Sequence, residues 1–193
     1  MKHFSEISPS AERIVDVAES LIQNVGFNGF SYEDIARIVG IKKPSIHHHF
    51  ATKAELVTVL TQRYTHRFRE QLLHVEAGNR NPLERLRAYA QLFEATYATQ
   101  QRLCLCGMLG AEIDTLPESI NAEVKRFFKI NLQWLTDIIT TGQQQQLLKT
   151  MPAEEMAMLF IGALEGAMVV GRGMNSDHGP QKAAKTLLDC WAA

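Results

Sequence analysis

Apolar residues in this chain recur three and four positions apart, and nowhere over a strand's length do they alternate with polar ones. That periodicity restricts the chain to helices, and each periodic run carries its own punctuation. Ser8-Pro9 caps and opens a first helix with apolar positions Ile14, Val17, Ala18, Leu21 and Val25, and Gly26 stops it. Ser31 to Asp34 is a capping-box pattern with Asp in the acidic place. It opens a short helix with Ile35, Ile38 and Val39 on its apolar face and Gly40 at its end. A third short helix is expected from Lys43 to Phe50. Thr52 to Glu55 is a second capping box. The long helix after it is striped by Leu56, Leu60, Tyr64, Phe68 and Leu72 and closes at Gly78-Asn79.

Asn81-Pro82-Leu83-Glu84 is the next start signal, followed by Leu86, Tyr89, Ala90, Phe93 and Tyr97. Further helices are expected from Leu103 to Ile113 and from Pro117 to near Gly142, the latter carrying Val124, Phe127, Phe128, Leu132, Leu135 and Ile139. Another runs from Pro152 to Gly173, and a last one starts at Pro180. Only 12 glycines and 6 prolines punctuate the 193 residues, too few for a turn-rich β protein. The fold class is all-α.

The charges exclude a polycation: 20 Lys and Arg face 21 Asp and Glu, so nucleic-acid binding requires a local patch. Three cysteines, Cys104, Cys106 and Cys190, suit a reducing compartment better than a disulfide framework. The N-terminus has no apolar core of the signal-peptide kind. The most apolar stretch, Met156 to Gly171, is interrupted by Glu165 and falls short of the roughly 18 residues that span a bilayer. A cytoplasmic protein with no membrane segment and no cofactor is expected.

A local patch does exist. From Ile35 to Ala54 the chain carries Arg37, Lys42, Lys43 and Lys53 and no acid, with His47, His48 and His49 inside the window. It coincides with two short helices joined at Gly40, the design of a helix-turn-helix. The histidines do not suggest a metal, because consecutive helical residues point about 100° apart. Cys104 and Cys106, two apart, diverge by about 200° on a helix and make a poor disulfide or shared metal site.

Residues Phe27 to Leu56, FNGFSYEDIARIVGIKKPSIHHHFATKAEL, resemble the DNA-binding region of TetR-family transcriptional repressors. The matching elements are a glycine before the second helix, the IA…VG segment, an HF pair ending the recognition helix, and the K and L that open the fourth helix. The resemblance implies an N-terminal three-helix helix-turn-helix domain, residues 1–53, joined by a long fourth helix to a helical ligand-binding and dimerisation domain, residues 54–193. It further implies a homodimer on a double-stranded DNA operator, and a small-molecule effector that spreads the recognition helices and releases DNA. Where the family usually has Tyr on a backbone phosphate, this chain has His47.

On this reading Lys43, Pro44, Ser45 and His48 are candidates for base edges. Lys42, His47 and Lys53 are candidates for phosphates, with Tyr32 at the start of the preceding helix. Ile46 and Phe50 should face inward. A ligand pocket is expected among Phe93, Tyr97, Cys104, Met108, Phe127, Trp134 and Phe160, each of which would serve equally as core. Glu112 is either a polar anchor there or a surface residue. Cys104 is either a packed thiol or, by the resemblance, an electrophile sensor with Arg102 nearby to favour the thiolate. The eighth helix holds Gly162, Gly166 and Val170. Each helical glycine costs about 1 kcal/mol, which close approach of helices would offset. A dimer seam and an intrachain core both fit. An enzyme built on Cys104 or Cys106 with a histidine is the competing class, as is a protein-binding bundle without a DNA role.

Overall fold

The computed structural model describes residues 4–78 and 81–193. Among these, nine α-helices account for the architecture: α1 Pro9–Val25, α2 Tyr32–Val39, α3 Lys43–His49, α4 Lys53–Gly78, α5 Pro82–Tyr97, α6 Leu105–Ala111, α7 Glu118–Gln144, α8 Ala153–Gly173 and α9 Pro180–Trp191. Single 3-10 turns lie at Phe4–Glu6 and Ile113–Thr115. The only extended pairing among the described residues is an isolated bridge between Leu148 and Ala192.

The caps are the expected ones. Ser8 accepts a hydrogen bond from the Ala11 amide, and both halves of the Ser31–Asp34 capping box are present. The second box is displaced by one residue: Thr52 Oγ1 accepts from the Glu55 amide, but Glu55 reaches back to the amide of Ala51. Asn79, expected to close α4, lies outside the described residues. Helix α6 is shorter than the sequence suggests, because the chain tightens into the 3-10 turn after Ala111.

The chain forms two compact units. The first comprises residues through Phe68 together with Leu105–Phe127; the second comprises Arg69–Cys104 and Phe128–Ala193. The boundary expected after residue 53 therefore falls inside the first unit. The reason is that α4 contributes core from its first turn: Leu56, Val57, Val59 and Leu60 are fully buried. Farther along, Tyr64 and Phe68 pack on Phe127 with ring centroids 5.6 and 5.2 Å away.

Within the first unit the inward face of α1 is offset from the expected one. Ala11, Ile14, Val15, Ala18 and Ile22 are buried, whereas Val25 is exposed. Helix α2 buries Tyr32, Ile35 and Ala36, an i, i+3, i+4 arc, which turns Ile38 outward at 55% exposure. Ile46 and Phe50 are fully buried, as expected, and hold α3 against this core.

In the second unit α5 packs on α9 and α8, and α8 on α9. Tyr89, Phe160 and Leu164 are fully buried at the centre. Trp191 of α9 lies 6.0 Å from the Phe160 ring. No helix among the described residues is long and apolar enough to cross a membrane.

Candidate nucleic-acid interface and the core of the second unit

Gly40 makes the turn between α2 and α3. Its φ of 78° and ψ of 33° are left-handed, a conformation that favours glycine, and its amide donates to the Ala36 carbonyl. The turn brings Lys42, Lys43, Pro44, Ser45, His47 and His48 to the exposed side of α3. Two of the window's cations are balanced locally. Arg37 pairs with Asp34 at 2.9 Å and Lys43 with Glu33 at 3.5 Å, both on the surface, where such pairs are weak and exchangeable. Asp34 is held below its ordinary pKa by hydrogen bonds from Ser31 and by the Arg37 guanidinium.

Two of the expected phosphate contacts face the wrong way. The Tyr32 hydroxyl donates inward to the Phe50 carbonyl at 3.0 Å, pinning α2 to the end of α3. Burial, and then the charge of Glu55, raises its pKa. The Lys53 ammonium also turns inward. It donates to the carbonyls of Phe27 and Phe30 and lies 4.5 and 3.9 Å from the centres of their rings. Desolvation lowers its pKa against the favourable charges of Glu112 and Asp34. The physical reason is local: the carbonyls of the α1–α2 connection have no helical partners, and an ammonium satisfies two of them at once.

Glu112 completes this arrangement from the other side. Its Oε2 accepts from the Phe27 amide at 2.5 Å, and its Oε1 accepts from the amide and the side chain of Asn28, each at 3.0 Å. A Cβ at Gly26, where φ is 77°, would stand 2.7 Å from that carboxylate. Glu112 is thus neither a pocket anchor nor a solvated surface acid. It and Lys53 clamp the amides and carbonyls of one connection, 27–30, and the spacing of single residues in sequence gives no sign of that convergence.

Lys53→Ala is therefore expected to cost stability, about 2–3 kcal/mol for two charge-assisted bonds, and to leave the salt dependence of DNA binding unchanged. Lys42→Ala should instead lower the slope of log K against log salt by about one unit. Salt titrations of both variants with one DNA fragment distinguish the two roles.

The residues expected around a ligand separate between the units. Met108, Glu112 and Phe127 belong to the first, and Phe127 is core with Tyr64 and Phe68. Phe93, Tyr97, Cys104, Trp134 and Phe160 belong to the second. Tyr97 serves elsewhere, donating to the Ser176 carbonyl at 2.7 Å. Phe93, Trp134 and Phe160 converge on a residue that periodicity had placed only in the core, Tyr89. Its ring centroid lies 5.3, 5.5 and 6.2 Å from theirs, and the Trp134 ring stacks on it at 18°. The indole N–H of Trp134 donates to Glu76 at 2.6 Å.

Two buried polar residues, Tyr89 and Asn131, sit in this core, and the half-buried Glu165 lies against it. The Tyr89 hydroxyl donates to Asn131 Oδ1 at 2.9 Å. Burial, then Cys104 and Glu165 nearby, push the phenol well above its ordinary pKa. Glu165 on α8 accepts a hydrogen bond from the Cys104 thiol, yet burial raises its pKa to about 7. Its Oε1 is sealed from solvent without a hydrogen-bond partner. Cys104, 1% exposed, fits the packing alternative: its thiol is engaged by a carboxylate rather than activated by a cation. Glu165 and Asn131 escaped the sequence reading, although each interrupts an apolar register. Asn131 falls four residues from both Phe127 and Leu135.

On α8, Gly162 and Gly166 have nothing within 4 Å of where a Cβ would stand. They lie on an exposed stripe with Met158, Leu159, Val169 and Val170. Gly171 differs, since a Cβ there would stand 2.5 Å from the Tyr97 hydroxyl.

A glycine-turned pair of helices with one presented face, carried on an all-helical body, defines a helix-turn-helix protein. Comparison with known proteins specifies which kind. Residues 14–60 match the description "Bacterial regulatory proteins, tetR family", and residues 82–187 match "Tetracyclin repressor-like, C-terminal domain". The chain belongs to the TetR family of transcriptional regulators.

A TetR-family regulator from Agrobacterium tumefaciens is 34% identical, with a TM-score of 0.90 over 95% of this chain and 98% of that one. Among curated relatives, the biofilm operon icaADBC negative transcriptional regulator IcaR of Staphylococcus epidermidis is 27% identical over 59% of this chain and 58% of its own length. The transcriptional regulator AcuR of Cereibacter sphaeroides is 30% identical over 50% of this chain and 46% of its own. The chain thus spans about half the length of the curated relatives it matches.

Proposed function

We propose that this regulator is a repressor that binds a pseudo-palindromic operator as a homodimer and is released by a small, mostly apolar effector held in the second unit. The observation that carries the reading is the presented face of α3. Lys43, Pro44, Ser45 and His48 are exposed for base edges, with Lys42 and His47 beside them for phosphates, while Ile46 and Phe50 fix the helix from behind. So short a helix reads only a few base pairs, so two symmetric copies are required. The exposed apolar stripe of α8, with Gly162, Gly166 and Val170, supplies a surface for the second copy. Footprinting on the DNA upstream of its own gene tests the reading. Two symmetric protected half-sites are expected; protection of one half-site by a monomer refutes it.

Release requires an effector that binds the DNA-incompetent arrangement better than the competent one, because affinity alone shifts nothing. Helix α4 provides continuity for this, since its first turn holds Lys53 in the clamp and its last turns belong to the second unit.

The departure at His47 gives a further expected result. Its Nδ1 donates to the Ala51 carbonyl at 3.3 Å, so in the neutral ring Nε2 has no hydrogen to give. A tyrosine hydroxyl at this position is free to donate to a phosphate, so His47→Tyr is expected to strengthen operator binding severalfold. Unchanged affinity in that variant would exclude a phosphate contact at position 47.

A further inference from the structure

We infer that the second unit binds an arylalkyl amine, with Glu165 as the counter-ion and the rings gathered on Tyr89 as the wall. The inference rests on reading that unit as the effector domain and names the chemistry of its ligand. Glu165 lies on α8 beside the buried positions Ile161 and Met168, four before and three after it. Oε1 has no donor and no access to water. The local donors are already committed elsewhere or limited to one bond. The Tyr89 hydroxyl gives its hydrogen to Asn131, and Cys104 supplies a single thiol bond to Glu165. No lysine, arginine or histidine among the described residues forms an ion pair with Glu165.

A half-buried acid so placed still lacks two things, a hydrogen-bond donor for its sealed Oε1 and a positive charge. A protonated amine brings both. A neutral alcohol brings only the donor, and an anion brings neither. The neighbouring side chains favour the same ligand. Phe93, Tyr89, Trp134 and Phe160 form a contiguous aromatic cluster, whose ring faces attract cations and whose bulk suits an apolar body. The remaining titratable groups in reach, the Cys104 thiol and the Tyr89 phenol, are both neutral in their ordinary forms and do not compete for the carboxylate.

The test is calorimetric titration of the full-length protein near pH 8 with benzylamine, 2-phenylethylamine and 1-naphthylmethylamine. The alcohols and carboxylates of matching size are titrated alongside. At least one amine is expected to bind tenfold or more tighter than its alcohol and carboxylate, and Glu165→Gln should remove that preference. Equal binding of amine and alcohol, an amine preference that survives Glu165→Gln, or no binding of any amine at millimolar concentration overturns the inference. A gel shift with the DNA upstream of the gene, run on the same wild-type preparation, keeps the two readings apart. DNA binding without amine preference refutes the amine site and leaves the repressor standing. Amine preference without DNA binding does the reverse.

Discussion

Replacing Glu165 by glutamine should make the protein more stable at pH 8 by about 2–3 kcal/mol and change little near pH 4.5. The folded chain holds the Glu165 proton up to about pH 7, whereas the unfolded chain releases it from about the ordinary glutamate value of 4.5. Between those values the native state binds more protons than the unfolded state, so stability falls as pH rises. The contribution is fully present below about 4.5 and lost by about 7. A gap of roughly two units or more corresponds to about 3 kcal/mol at 1.36 kcal/mol per unit. Glutamine cannot ionise, and it supplies an N–H group as well. Urea melts of both proteins at pH 5 and pH 8, at one protein concentration, isolate the effect as a double difference. A wild-type protein that loses no more stability than the variant between the two pH values would show Glu165 to be solvated.

That the acid escaped the sequence reading is instructive. Glu165 was visible only as an interruption of the apolar run from Met156 to Gly171. Helical periodicity recognises an inward face by its apolar members, so a polar residue in that register passes as a break rather than as an occupant. Asn131 between Phe127 and Leu135 is the same case on α7. What was legible were features with local causes: the caps at Ser8, Ser31 and Asn81, the left-handed turn at Gly40, and the inward pair Ile46 and Phe50. Each depends on neighbours within a turn or two of helix.

Features that depend on residues distant in sequence were not legible. Lys53 sits in a basic window at the start of a helix, which suggests a phosphate, yet its partners lie 26 and 23 residues away in the α1–α2 connection. Glu112 meets the same connection from 85 residues away. The expected pocket mixed residues of both units because, Glu112 aside, they are aromatic or apolar, and composition does not distinguish Phe127, packed on Tyr64, from Trp134, packed on Tyr89. Ile38 shows a subtler failure. The inward arc of α2 runs through Tyr32, Ile35 and Ala36, so the small Ala36 took the place that hydrophobicity assigned to Ile38.

Gly166→Leu is expected to weaken self-association by a hundredfold or more while leaving each subunit folded. In the single chain nothing lies within 4 Å of the added Cβ, and leucine favours a helix over glycine by nearly 1 kcal/mol. The subunit itself therefore has no reason to reject the change. The exposed stripe of Met158, Leu159, Val169 and Val170 has no such neutrality when a second copy lies against it: a branched side chain at Gly166 holds the two helices apart along the whole seam. Gly171→Ala is the informative contrast. Its Cβ would stand 2.5 Å from the Tyr97 hydroxyl and 2.7 Å from the His178 carbonyl, so the fold itself should lose stability. Sedimentation velocity over a concentration series, with thermal melts of the same samples, separates the two effects. Because one α3 reads too few base pairs alone, operator affinity should fall with the dimer in Gly166→Leu. A Gly166→Leu protein that sediments and binds DNA as the wild type does would move the second copy to another face of the molecule.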